Sequence, residues 1–384
     1  MLAGVNVALG VSGSIAAVKT VELAHELRRQ GADVRAVMSG AAQGIVHPWS
    51  LEFATDRPVV TEITGSVEHV ELCGYDGWAD VLLLAPSTAN TIGKVAAAVD
   101  DTPVTTTATT ALGAEIPVVL APAMHEPMYN HPGVLEAIER LESWGIDFVE
   151  PRLEEGKAKV ASEETIVLGV ARAAGESPLE GCRIVVTSGP TSESIDPVRV
   201  LTNRASGRTG RAVAKACYVR GADVTLVHDG EDVPYADVRP VESAAEMLEA
   251  IESTVDGADA LVPAAAIGDF TVDAAPEKIR SGGELTLELD PTPKLIDTIR
   301  QKRPDLPIVG FKLETSGDDG AMTSRARETL ERTDLTFVVA NDASVMGAEQ
   351  TRVLLVGPDD VTVREGTKAE VAADIADALA ETLR

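Results

Sequence analysis

The stretch 187–210, TSGPTSESIDPVRVLTNRASGRTG, follows the apolar, β-branched run Arg183-Ile184-Val185-Val186 and leads into a helix-like segment at 211–220. A merely structural strand-to-helix turn takes only a few residues. This one takes more than twenty and is rich in Gly, Ser, Thr, Asn and Arg. Such a turn offers backbone N–H groups, hydroxyls and guanidinium forks to a phosphate-bearing ligand, and the helix N-terminus adds a favourable dipole. The stretch reads as a binding site at the opening strand of an α/β domain.

Downstream, apolar runs at 223–227, 260–263, 308–311, 335–339 and 353–356 read as further strands, and 368–383 as an amphipathic helix. Upstream, strands are expected at 5–9, 33–38, 81–84, 117–121 and 146–149, with helical periodicity at 16–30 and 163–174. The segments GADVRAVMSG (31–40) and GADVTLVHDG (221–230) echo one another as the loop and second strand of two β-loop-α-β units. Between the halves the pattern weakens, and GESPLEG at 175–181 is the expected boundary. The fold class is α/β, two doubly wound Rossmann-like or flavodoxin-like parallel-sheet domains in tandem, 1–175 and 182–384.

The composition agrees. The 384 residues exceed one ordinary core, and 45% are hydrophobic while only 3% are aromatic. Cores of Val, Ile, Leu and Ala suit parallel strands covered on both faces. The net charge of −28, from 61 acidic and 33 basic residues, argues against nucleic-acid binding and suits a solvated surface in a high-salt cytosol. Three widely spaced cysteines give neither a disulfide framework nor a zinc site. There is no membrane-length apolar run, and the opening MLAGVNVALG reads as a first strand, so a cytoplasmic protein is expected.

Gly10-Val11-Ser12-Gly13-Ser14 sits between strand and helix and can bind a phosphate. Its spacing differs from the dinucleotide fingerprint, and Met38-Ser39-Gly40 stands where an acidic ribose ligand would be, so a mononucleotide fits better. Ala85-Pro86-Ser87-Thr88-Ala89-Asn90-Thr91 and Asp101-Thr102-Pro103-Val104-Thr105-Thr106-Thr107 are expected at the carboxyl ends of strands, where ligands bind in open sheets. Their hydroxyls and amide suit either a polyhydroxyl chain and a ring edge, or loop packing. His69 precedes the third strand, and with six histidines in the chain a lone one is more often structural or solvated than functional.

Taken in order, GVSGSIAAVK, the His69 segment, APSTANTIGKVAAAVDDTPVTT and PAMHEPMY resemble the FMN-dependent phosphopantothenoylcysteine decarboxylases. The long turn, AAAIGDF, EKIRSGG, VGFKLET and VVANDAS resemble the phosphopantothenate–cysteine ligases. Together they resemble the fused bifunctional enzyme of coenzyme A biosynthesis. The resemblance implies FMN held by Gly13, Ser14, Ser39, Ser87, Thr88, Asn90, Thr105 and Thr106, with His69 as base near the substrate thiol. It implies substrate contacts from Met124 and His125, and from Lys157 and Lys159 on a substrate flap.

For the ligase half it implies CTP as co-substrate with Mg2+, 4'-phosphopantothenate and cysteine as partners, and an acyl-cytidylate intermediate. Ser188, Gly189, Asp269, Phe311, Asn341 and Asp342 would hold the nucleotide, and Asn203, Ser206 and Gly207 the pantothenate end. Lys278 would stabilise phosphate charge, and the loops 281–283 and 315–322 would close over the site. The resemblance further implies trimers through the first domain and dimers through the second, combining into a dodecamer; no metal ligands can be named.

Two departures from the family stand out: His125 replaces an Asn, and the flap LEEGKAK (153–159) lacks the proton-donating Cys. Rival readings are an FMN-binding regulatory first domain, a flavin prenyltransferase-like first domain, and a generic nicotinamide reductase.

Overall fold

Strand β1 (Asn6–Val11) lies between β2 (Asp33–Met38) and β3 (Val81–Ser87), parallel to both, with Val7 opposite Val34 on one side and Val81 on the other. A computed structural model describes residues 1–280, 282–314, 318–342 and 350–384, without the side chains of Glu314 and Asp342. In it the chain forms two compact units, Met1–Gly175 and Glu176–Arg384.

The first unit's sheet runs β2–β1–β3–β4–β5, with β4 at Val118–Pro122 and β5 at Asp147–Phe148, all parallel. Every residue of β3 is buried, which is why it reads as an unbroken apolar run rather than an alternation. Helix α1 (Thr20–Arg29) buries Leu23, Ala24 and Leu27 on one face and exposes its charges on the other. Helices α2 (Glu68–Cys73), α3 (Ala89–Ala96), α4 (Pro103–Gly113) and α5 (Glu163–Ala174) complete the cover used below. The Thr-rich stretch expected as a binding loop at 101–107 is therefore largely helix α4. Its capping box between Thr102 and Thr105 explains the run of hydroxyls.

In the second unit β6 (Arg183–Ser188) is flanked by β7 (Asp223–His228), then β8 (Asp237–Pro240), and on the other side by β9 (Ala260–Pro263), all parallel. A bridge from Leu261 to Ile308 leads to β10 (Val309–Glu314), which pairs in parallel with β11 (Phe337–Asp342). The last two strands, β12 (Gln350–Val356) and β13 (Val361–Thr367), are antiparallel. The sheet is therefore mostly parallel, with an antiparallel edge made by a tight turn in which the Gly357 N–H donates to the Asp360 carbonyl at 3.0 Å. Its core is aliphatic, gathering Val185, Val227, Ile251, Leu261, Ile308 and Leu354.

The long turn is not irregular. Residues Ser192–Asp196 and Arg199–Thr202 form an antiparallel hairpin, and helix α6 starts at Arg208, before the expected 211. Helix α7 (Lys368–Leu383) packs against α6, and the Arg220 guanidinium spans both Asp377 oxygens at 2.5 and 2.7 Å. Among the described residues no helix is long and apolar enough to cross a membrane.

Candidate active sites

A pocket of about 580 Å3 opens at the carboxyl ends of β1, β3 and β4. The Ser12 hydroxyl donates to the Pro86 carbonyl at 2.5 Å, tying the turn after β1 to the end of β3. The Ser14 hydroxyl donates to the Ala123 carbonyl and accepts the Ala16 N–H, both at 3.3 Å, tying the same turn to β4. Gly13 has no room for a side chain, since a Cβ would stand 2.4 Å from that of Ala41. The backbone is thus open on the pocket side and closed behind.

The mouth is a three-stranded ribbon. Residues Met124–His125 pair with Lys157–Lys159, which pair with Arg152–Glu154. The ribbon reverses at Glu155 and Gly156, with φ of 54° and 69°, the conformation a two-residue hairpin turn demands. The Lys159 ammonium lies 3.0 Å from both Glu154 and Glu155. Its hydrogen bond is the main reason that both carboxyls sit below the usual carboxylate range.

Of the residues expected here, Gly13, Ser14, Thr88, Met124, His125, Lys157 and Lys159 line this pocket. The others do not, and the reasons are local. Ser87 is fully buried and donates to the Leu84 carbonyl at 2.7 Å. Ser39 caps a short helical turn, accepting the Ala42 N–H at 3.3 Å. The Thr105 and Thr106 hydroxyls donate to the Thr102 carbonyl at 3.1 and 3.0 Å. Asn90 is exposed in the first turn of α3. His69 lies in α2, away from the pocket lining, with its Nδ1 buried and without a hydrogen-bond partner.

The second pocket, about 540 Å3, opens at the carboxyl ends of β6, β9, β10 and β11. Here Gly189, Ser206, Gly207, Phe311 and Asn341 come together. Gly207 has φ +68°, and a Cβ on it would lie 2.8 Å from the Gly189 nitrogen; one on Gly210 would lie 2.6 Å from the Thr187 carbonyl oxygen. These two glycines let the start of α6 press against the end of β6. Ser188 is buried beneath them and donates to the Gly207 carbonyl at 2.7 Å, so it braces the turn rather than lining the pocket. Asn203 donates to the Ala266 carbonyl at 2.6 Å and accepts the Ala205 N–H at 3.0 Å, which fixes the loop after the hairpin.

Asp269 and Lys278 are not part of this lining. Asp269 is exposed and pairs with Lys294 at 2.6 Å. The segment of Lys278 is held from the hairpin: buried Asp196 accepts the Ile279 N–H at 3.0 Å, and Arg199 donates to the Ile279 carbonyl at 2.7 Å. Hydrogen bonding from the Arg199 side chain is the main cause that holds the Asp196 carboxyl well below the usual range. The Asp342 side chain, Ser281, residues 315–317 of the expected closing loop, and the Ala343-Ser344 of VVANDAS lie outside the described residues. No group of three or more His, Cys, Asp or Glu suited to a metal occurs among the described residues.

Charge decides what the pockets suit. In a chain of net charge −28, neither pocket is lined by an Asp or Glu among the described residues. The first is rimmed by Lys19, Arg152, Lys157 and Lys159 around an apolar wall that includes Ile15 and Met128. The second presents Arg204, Arg208 and Lys368. Such local fields select anions. Lys19, Arg152, Arg204, Arg208 and Lys368 are not among the expected site residues, although Lys19 closes the quoted GVSGSIAAVK. Arg204 and Arg208 stood inside the quoted motif, whereas Lys368 is far from it and opens α7.

Residues 1–175 match the family described as Flavoprotein, and residues 179–383 match the DNA/pantothenate metabolism flavoprotein C-terminal domain. The chain is 51% identical over 364 residues to the coenzyme A biosynthesis bifunctional protein CoaBC of Thermococcus kodakarensis, covering 93% of this chain and 90% of the relative. The chain belongs to the CoaBC family. It is also 36% identical to the CoaBC protein of Methanocaldococcus jannaschii, across 97% of this chain and 92% of that one. The Bacillus subtilis CoaBC protein is likewise 36% identical, over 91% of this chain and 88% of its own length. Both pockets thus lie within stretches matched by these family descriptions.

Proposed function

We propose that this protein joins 4'-phosphopantothenate to cysteine in its second unit and decarboxylates the resulting 4'-phosphopantothenoylcysteine to 4'-phosphopantetheine in its first. The observation that carries this reading is a pair of cation-lined pockets, one at the carboxyl ends of each sheet, with no Asp or Glu among their described lining residues in a strongly acidic chain. Two phosphate-bearing ligands in separate sites are what this two-step chemistry requires.

In the first unit, FMN fits the pocket. The close Gly13–Ala41 approach leaves bare backbone toward it, apolar side chains suit a flavin ring, and Lys and Arg suit phosphate. When bound, the flavin supplies a two-electron acceptor that returns its electrons later, giving the substrate an electron sink that an α-carboxylate beside an amide nitrogen lacks. The ribbon residues hold the substrate: Met124 against its apolar arm, and Lys157 and Lys159 near its charged ends. His69 acts as base at the thiol. Because it does not line its own chain's pocket, it meets that role from a neighbouring copy.

A homo-oligomer follows, with trimers through the first unit and dimers through the second, combining into a dodecamer. The exposure of Trp49, Phe53 and Tyr75, at 74, 79 and 86% in a chain with 3% aromatics, supports it.

In the second unit CTP, with Mg2+ on its triphosphate, occupies the cradle between Gly189 and the start of α6. The phosphopantothenate carboxylate attacks the α-phosphorus, giving an acyl-cytidylate and pyrophosphate, and the cysteine amine displaces the nucleotide. Arg204, Arg208 and Lys368 neutralise phosphate charge, Lys278 reaches in from its anchored segment, and Asn203 orients the pantothenate end. Catalysis of this kind is mainly positioning and charge neutralisation. A cytoplasmic, salt-rich setting belongs to the same reading.

The test is an assay of the purified protein with phosphopantothenate, cysteine, Mg2+ and CTP or ATP in parallel. Formation of 4'-phosphopantetheine and CO2 with CTP is expected. Lys278→Gln should abolish amide formation while CO2 release from added phosphopantothenoylcysteine continues, and His69→Asn should do the reverse. Joint loss of both activities in either variant would contradict separate sites.

A further inference from the structure

Decarboxylation breaks a C–C bond and leaves its electron pair on carbon, where a C–H bond must then form with a proton from an acid. No thiol lines the first pocket. Cys73 is buried, which pushes it up to about 12, and Cys182 and Cys217 belong to the other unit. The ionisable side chains around the pocket are Lys19, His125, Arg152, Lys157 and Lys159. A guanidinium is not a proton donor in proteins, which sets Arg152 aside. Lys159 is engaged by Glu154 and Glu155. Imidazole alone exchanges its proton readily near neutrality.

His125 differs from its sister histidines in a telling way. His47, His125 and His131 all precede a helical turn with Pro in its first two positions. His47 and His131 turn Nδ1 back to cap it, accepting the N–H of Trp49 at 3.3 Å and of Gly133 at 3.1 Å. His125 has the same backbone placement, φ −70° and ψ 143°, but the residue two positions on is Pro127, which has no N–H to cap, so its side chain makes no capping bond and the residue lines the pocket. Across the ribbon it stands directly opposite Lys157. The ribbon holds its backbone, and its solvent exposure lets water replace a spent proton.

We propose that His125 is the general acid that protonates the carbon from which CO2 departs, with Lys157 as a positioning residue that keeps the carboxylate beside it. The imidazolium N–H bond breaks as the C–H bond forms and the neutral ring takes a proton from water; bound FMN would supply the adjacent carbon with the two electrons and the hydrogen that complete the thiol product. The inference rests on the decarboxylase reading above.

The experiment uses FMN-loaded full-length protein, wild type and His125→Asn, with phosphopantothenoylcysteine in H2O and D2O. Asn can still donate a hydrogen bond to a carboxylate but cannot deliver a proton. Expected for the variant are an unchanged flavin spectrum, KM within about threefold, and phosphopantetheine formation down by about a hundredfold or more. A first-turnover burst of CO2 should persist without matching thiol product. The wild-type pH profile should carry an alkaline limb that the variant lacks. Lys157→Gln should raise KM while keeping CO2 and product equal and the alkaline limb in place. A His125→Asn protein with equal CO2 and product and the wild-type pH limb would overturn the proposal, as would a change confined to KM. Wild-type protein that releases no CO2 would instead refute the decarboxylase reading, and this outcome is separable because it precedes any variant.

Discussion

The Asp196 carboxylate accepts a hydrogen bond from the backbone N–H of Ile279 at 3.0 Å, joining points 83 residues apart. The same carboxylate receives the N–H groups of Val198 and Arg199 at 2.8 and 3.0 Å, so one buried charge organises both the hairpin tip and the segment that carries Lys278. Asp196→Ala should therefore let that segment drift. A misplacement of about 1 Å can cost about a hundredfold in rate, so ligation should fall by tenfold or more. CO2 release from added substrate should not change. The carboxyl's depressed ionisation makes this latch fully present above the unfolded value of about 3.9, and it is lost only as pH falls through the lower folded value. Ligation assays between pH 5 and 8 should show no limb from it.

Gly207→Ala should be costly twice over. The added Cβ meets Gly189 backbone at 2.8 Å, and φ of +68° disfavours any side chain. A loss of about 1–3 kcal/mol in stability is expected. Urea unfolding and nucleotide binding should both register it, whereas flavin content should not.

The pairing of Lys159 with Glu154 and Glu155 restrains a cation at the first pocket's mouth. Replacing both acids by Gln should free it and lower KM for the phosphorylated substrate by about two- to fivefold at low salt. The gain should shrink at high ionic strength, because exposed charges are screened there. Initial-rate measurements across a salt series check both parts.

His228 is buried at the end of β7, with neither ring nitrogen hydrogen-bonded. Burial first, then the nearby charge of Arg211, lowers its proton affinity, while the Glu231 backbone, Asp229 and Asp232 oppose the shift. A neutral imidazole in the fold and a protonated one in the unfolded chain make its contribution full above about pH 6.5 and progressively lost below it. The second unit's urea midpoint should fall between pH 7.5 and 5.5. His228→Leu should flatten that dependence.

The parallel core was legible because strands such as Val81–Ser87 are buried on both faces and show no polar interruption. The hairpin Ser192–Asp196/Arg199–Thr202 was not, since its polar, Pro-containing sequence has the composition of a loop and its order comes from Asp196. The antiparallel edge escaped because strand direction is set by the short turn at 357–360, not by the apolar run that follows 350. For the sites, turns adjoining strands led to Gly13, Gly189 and Gly207. The hydroxyls of Ser87, Thr105, Thr106 and Ser188 donate to nearby carbonyls, and these residues do not line the pockets. Lys368 was invisible because only the folded sheet brings α7 to the pocket.

Everything lining the first pocket lies between Gly13 and Val160, whereas the second needs Lys368 from the helix that ends at Leu383. A ribosome working from the N-terminus exposes all of this chain's own lining of the first pocket before it makes the helix that carries Lys368, so the first lining can assemble co-translationally and the second cannot.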